Sequence, residues 1–122
     1  MLLQKELNQD AITIQSYQPG KIKISGNTYQ QAILITSSEL KGFEQANLFS
    51  ELDIEQLIAL LPQETEVVII GCGEKQQFLA QKDIKRVNDL GIALEVMGTR
   101  QACHTFQVLT YEQRKVVTLL FP

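Results

Sequence analysis

The sequence has no tryptophan, one histidine, two cysteines and three prolines. Each scarcity narrows the functions open to it. With only His104, Cys72 and Cys103, the usual acid–base and nucleophilic stock is thin. The same three residues fall short of a four-ligand zinc set, so no metal is expected. Two cysteines cannot form a disulfide framework, and reduced thiols point to the cytoplasm. The longest apolar run, Val67 to Cys72 with Gly71 inside it, is too short to cross a bilayer. The opening MLLQKELNQD carries early acids and reads as neither a signal peptide nor a basic transit peptide. Eleven basic and 14 acidic side chains leave a net charge of −3. Lys82, Lys85 and Arg86 are interleaved with Asp83 and Asp89, the pattern of a solvated helix face. A nucleic-acid module, which needs a basic surface and aromatic platforms, is excluded on both counts.

What remains is an ordinary globular composition, 44% hydrophobic over 122 residues. Residues 1–122 read as one domain, long enough to bury about two-thirds of the surface an unfolded chain exposes.

Ile12 and Ile14 alternate with polar residues, as do Ile22 and Ile24. Period-two alternation predicts strands with one wet face, joined at Pro19-Gly20 by a turn of type II chemistry. A two-residue loop at Gly26-Asn27 leads to a third strand over Thr28 to Ile35, which completes a meander. Residues 36–52 read as loop. Asp53 can cap a helix, with Gln56 reaching back, and Ile54, Leu57, Ile58 and Leu61 form its buried face until Pro62. Val67 to Ile70 is apolar without alternation, which suits a strand covered on both faces. After Gly71 a helix is expected to run to about Leu90, with Ile84 and Val87 inward and Gly91 as its left-handed stop. Ile92 to Met97 follows as a strand parallel to the first. Thr99 can cap the next helix, in which Ala102, Phe106 and Leu109 share a face. Val116 to Phe121 is the last strand. The pattern gives an α/β domain: a mixed sheet flanked by helices, with an added N-terminal hairpin.

From Val67 onward an ordered series of small and polar residues stands out: Gly71-x-Gly73, then Gly91-Ile92-Ala93-x-Glu95-Val96. Thr99, Ala102-Cys103, Thr105-Phe106, Leu109, Glu112, Arg114 and Pro122 follow. By this series the chain resembles the Mth-type domain family, whose relatives include an adipogenesis-associated protein and a mitochondrial complex I assembly factor. The resemblance implies a three-layer α/β fold whose mixed central sheet has one strand antiparallel to the rest. It implies no reaction and no cofactor. The chain departs from many relatives at Gln107, where they carry Asn.

Four constellations can carry chemistry. Gly71-Cys72-Gly73 sits at the carboxyl end of a strand, where open α/β sheets bind ligands. Cys72 there is either a nucleophile or a small buried thiol, and the second reading is the plainer one, since no base is paired with it. The two glycines lack the third of a dinucleotide fingerprint. Next, Gly98-Thr99-Arg100 opens a helix whose free amides attract anions, with Arg100 as a clamp; the plainer reading is a capped helix with a solvated arginine. Together Gly71, Cys72, Gly73, Thr99 and Arg100 make one candidate ligand site. Cys103 and His104 point about 100° apart on their helix, so they form no pair; Cys72 and Cys103 can meet in the core. Last, Glu112 and Arg114 brace the turn into the final strand.

The expectation is therefore a non-catalytic interaction or assembly factor with a protein partner. The alternative is a small-molecule enzyme or binder using Cys72 and Thr99-Arg100. A homodimer is the commonest symmetric state open to such a chain.

Overall fold

The computed structural model describes residues 12–36 and 39–122. The reading of the first ten residues as no targeting segment lies outside the described residues. Ile14–Gln18 (β1), Lys21–Ile24 (β2) and Asn27–Tyr29 (β3) form an antiparallel three-stranded sheet in that order. The β2–β3 loop is Ser25-Gly26, one residue earlier than the sequence suggested, and pairs Ile24 with Asn27. Both loop residues have positive φ, 48° and 89°, which is the type I′ geometry whose twist matches the strands it joins.

The expected strand from Thr28 to Ile35 is broken. β3 ends at Tyr29, and Ile33–Ile35 (β4) belongs to a second sheet. The physical reason lies in burial: Tyr29 is half-buried, whereas all of β4 is buried and pairs antiparallel with two neighbours. Residues 36–52 are not plain loop either. Leu40–Gly42 (β5) pairs with β4, and Phe49–Glu51 forms a 3₁₀ turn held by Glu51, whose carboxylate accepts from the Asn47 and Leu48 amides.

Ile54–Ile58 (α1) starts where Asp53 accepts from the Glu55 amide, as the sequence predicts. Val67–Gly71 (β6), Gln81–Asn88 (α2), Ala93–Met97 (β7), Thr99–Tyr111 (α3) and Val116–Leu120 (β8) complete the chain. α2 is shorter than predicted: residues 72–80 are irregular, because the Cys72 sulfur and carbonyl engage Gln77 and hold the chain out of helix. Val87 is buried inward from α2, and Gly91 stops the turn after it at φ 81°.

The second sheet has the order β5-β4-β8-β6-β7. β6 runs parallel to both β7 and β8, and β4 runs antiparallel to β5 and β8. β4 is thus the one strand that opposes the rest. β6 and β8 are buried along their whole length, as the unalternating apolar run predicts. Their side chains divide between two cores. Val68, Ile70, Val117 and Leu119 pack against Phe49, Leu57, Val87 and the edge-on pair Phe43–Phe121. Val67, Ile69, Val116 and Leu120 pack against Ala102, Cys103 and Phe106 of α3 and against Ile14, Ile22 and Ile24 of the small sheet. The layers are therefore helix and loop, central sheet, then α3 with the meander. Each side chain so buried contributes about 1.5–3 kcal/mol against chain entropy.

Thr118 is the exception inside this sheet. It is fully buried between Ile35 and Ile69, and its hydroxyl has no partner among the described residues. Thr118→Val keeps the shape and removes the stranded group, so it should raise stability by about 1 kcal/mol, read from denaturant midpoints.

Candidate functional site

β6 and β7 are parallel neighbours in full register, Val67 with Ala93 through Gly71 with Met97. Their carboxyl ends therefore lie at one edge of the sheet, and Gly71, Cys72, Gly73 and Thr99 come together there. Thr99 does not cap its helix; Gly98 occupies that position, with no side-chain cap. Thr99 is fully buried, and its hydroxyl donates to Phe121 O at 2.6 Å and accepts from the Gly73 amide at 2.8 Å. Its own amide donates to Gly73 O at 2.9 Å. One side chain thus joins the end of β6, the start of α3 and the residue after β8.

The contact needs a glycine. A Cβ on Gly71 would lie 2.9 Å from Thr99 Oγ1 and 3.0 Å from both Thr99 Cα and Leu120 Cδ2. The Gly-x-Gly signal therefore has a packing cause: Gly71 lets α3 close onto the sheet. The motif that reads as a cradle is filled here by Thr99 itself.

Cys72 is 2% exposed. Its thiol donates to Lys75 O at 3.3 Å and accepts from the Gln77 amide at 3.2 Å. Cys72 and Gly73 form part of the wall of a cleft of about 500 Å3, with Leu48, Phe49, Gln77 and Phe121 opposite or beside them.

Arg100 lines a different hollow. Its guanidinium lies over the Tyr17 ring, 5.1 Å from the centroid, and donates to Tyr17 O at 3.4 Å. With Cys103, His104 and Gln107 it borders a groove of about 290 Å3 between α3 and β1. The five expected site residues are thus divided: four meet at the sheet edge, and the guanidinium of the fifth turns to β1.

Gln107 donates its amide to Ile14 O at 2.8 Å. β1 is an edge strand, and Arg100 and Gln107 together cover its outward carbonyls at Tyr17 and Ile14. The long side chain at 107 finds its role in that reach. Tyr17 was not singled out by the sequence. Its hydroxyl is buried without a partner among the described residues, and burial followed by the nearby Glu74 carboxylate pushes its pKa up. The signal was available in principle, since Tyr17 breaks the polar stretch between Gln15 and Gln18.

Glu112 and Arg114 do not brace one another among the described ion pairs. Arg114 Nε approaches Glu66 at 3.7 Å, and Glu66 accepts from the Lys115 amide at 2.8 Å, so the entry to β8 is tied to the entry to β6. Both cysteines are free, and no group of three or more metal-ligating side chains gathers among the described residues.

Burial pushes the Cys103 thiol up from 9 to about 11, with Arg100 opposing the rise. A raised folded pKa gives stability that is complete below the unfolded value and lost as pH climbs to the folded one. Stability should therefore fall between about pH 9 and 11, by about 2–3 kcal/mol from this thiol. Cys103→Ala should remove that part of the slope when unfolding is compared at the two ends of the window.

Fold and junction together define a class: a three-layer α/β domain whose central sheet is locked to its last long helix by a buried threonine. Within that class, the chain belongs to the family described as protein of unknown function (DUF498/DUF598), whose pattern matches residues 14–121. It is 31% identical to a zebrafish protein named NADH dehydrogenase [ubiquinone] 1 alpha subcomplex assembly factor 3, over 99% of this chain and 70% of that one. The human protein of the same name is 32% identical, over 99% of this chain and 66% of its own. The chain thus spans about two-thirds of the length of these relatives. Among solved structures, a Bordetella pertussis protein described as an Mth938-like domain superposes with a TM-score of 0.76 at 20% identity, covering 92% of this chain and 86% of that one. The Mth-type resemblance read from Gly71 to Pro122 therefore extends to the whole fold.

Proposed function

We propose that this chain is a non-catalytic assembly factor that holds protein partners while a larger complex is built. The observation that carries the reading is its likeness to the assembly factors, which covers 99% of the chain at 31% identity. The chemistry of the site supports it. The Cys72 thiol is engaged on both sides by backbone groups. Cys103, with its pKa near 11, is a protonated thiol at neutral pH and a poor nucleophile. The Thr99 hydroxyl at the junction is committed twice within the protein. The proposal includes a cytoplasmic location, which fits two unpaired thiols.

Deleting the chain in its native host tests the reading. Native-gel profiles should lose a multisubunit complex, with subcomplexes left behind; NADH dehydrogenase is the first to examine, given the names of the relatives. Unchanged profiles together with a small molecule that accumulates would favour the alternative. In that reading a compound fills the 500 Å3 cleft beside Cys72.

A further inference from the structure

We infer that the outer edge of β7 is a pairing site for an extended segment of a partner protein with a basic residue at its centre. The inference rests on the assembly-factor reading only in taking the partner to be a protein. β7 is the last strand of the central sheet, with β6 on one side and, among the described residues, no strand on the other. Ala93 donates to Glu66 O, and Met97 O accepts from the Cys72 amide, so residues 93, 95 and 97 face β6. Alternation turns the backbone groups of Leu94 and Val96 outward. Val96 O receives only the Gln76 side chain, at 3.4 Å. Among the described residues, the Leu94 amide and carbonyl and the Val96 amide have no partner outside their own strand.

Edges left in this state pair with other chains unless they are blunted. The fold covers the β1 edge with Gln107 and Arg100, whereas on β7 Gln76 reaches Val96 O alone and the strand has neither proline, lysine nor bulge. Two exposed apolar side chains lie near it in the chain: Phe78, 84% exposed, two residues after the Gln76 that reaches Val96 O, and Leu90, 46% exposed, in the turn that leads into the strand. Sheets with an unpaired edge take up extended peptides in this way: main-chain bonds bind, and side-chain contacts select.

Charge decides between occupants. Glu95 is exposed at the middle of β7 and has no cation partner among the described ion pairs. A second copy paired about a two-fold axis that matches Leu94 with Val96 would set Glu95 against Glu95, and like charges directly opposite repel. A lysine or arginine in that place is attracted.

Amide hydrogen exchange on the full chain tests this with two blocked pentapeptides, Thr-Val-Lys-Val-Thr and Thr-Val-Glu-Val-Thr. The lysine peptide should slow exchange at Leu94 and Val96 by about tenfold when saturating. It should bind about fivefold more tightly than the glutamate peptide, and Glu95→Lys should invert the preference. Leu94→Pro removes an outward amide together with a side chain packed on the core, so it should abolish binding, whereas Leu94→Ala, which removes the packing alone, should keep it. Failure of the lysine peptide to protect these two amides would overturn the inference, as would equal binding of both peptides. Protection that grows with protein concentration and no peptide would also overturn it, in favour of self-pairing. None of these outcomes touches the deletion phenotype, so the edge can fail while the assembly role stands.

Discussion

Thr99→Val should cost about 3 kcal/mol of stability, although it changes one hydroxyl for one methyl. The valine leaves the Gly73 amide and the Phe121 carbonyl without their shared partner. A buried group so stranded costs about 1–3 kcal/mol, with the Phe121 carbonyl at the upper end and the half-buried Gly73 amide at the lower. Thr99→Ser retains the hydroxyl and should recover most of the loss, apart from the small cavity left by the methyl. Urea unfolding of the three proteins measures the difference directly. A valine variant as stable as the parent would show that the hydroxyl is not a latch.

Gly71→Ala should be at least as damaging, with a loss of about 3 kcal/mol or more. Two of its three clashing neighbours are side-chain atoms, but the third is the Thr99 Cα at 3.0 Å. Backbone at the start of a helix cannot step aside alone. Moving it lengthens both bonds between Gly73 and Thr99 and lifts α3 from β6, against which Ala102 and Phe106 are packed. The substitution therefore couples overpacking to lost hydrogen bonds. Thermal unfolding should show a lower midpoint, and the near-ultraviolet signal of the aromatic core should weaken before the helical signal does. A variant with unchanged midpoint would mean that α3 can shift freely.

Much of this architecture was legible in the residues. The apolar run at Val67 to Ile70 announced a strand covered on both faces, and Gly91 announced the stop after α2. The parallel pairing of β6 with β7 followed from one helix between two strands. What escaped the reading depends on contacts between distant segments. Nothing local separates Thr28 to Tyr29 from Ile33 to Ile35. The break arises because β4 is drawn between β5 and β8, and β8 is more than 80 residues further along the chain. The shortened α2 has a partly similar cause, since residues 72–80 are held by the Cys72 sulfur and carbonyl, beside Gly73 at φ 109°.

The candidate site was half legible. Sequence placed Gly71, Cys72, Gly73 and Thr99 at one edge, and the structure brings them there. It gave no sign that Thr99 would face inward, because a threonine after a glycine at a helix start reads equally as a cap. Arg100 was assigned to the edge by adjacency in the chain. Its guanidinium instead stacks on Tyr17, 83 positions away, which no local pattern announces. Gln107 stands out in the sequence only as a departure from relatives, and its bond to Ile14 gives it a task.

The account holds that this domain works by what it grips and that its glycine–threonine junction is scaffold. The most direct test replaces the two groups that chemistry would need and keeps the scaffold. The double variant Cys72→Ser, Arg100→Gln, returned to the deletion host, should restore the native-gel profile to the parental level. A folded double variant that fails to restore it would contradict the account and assign the function to those side chains.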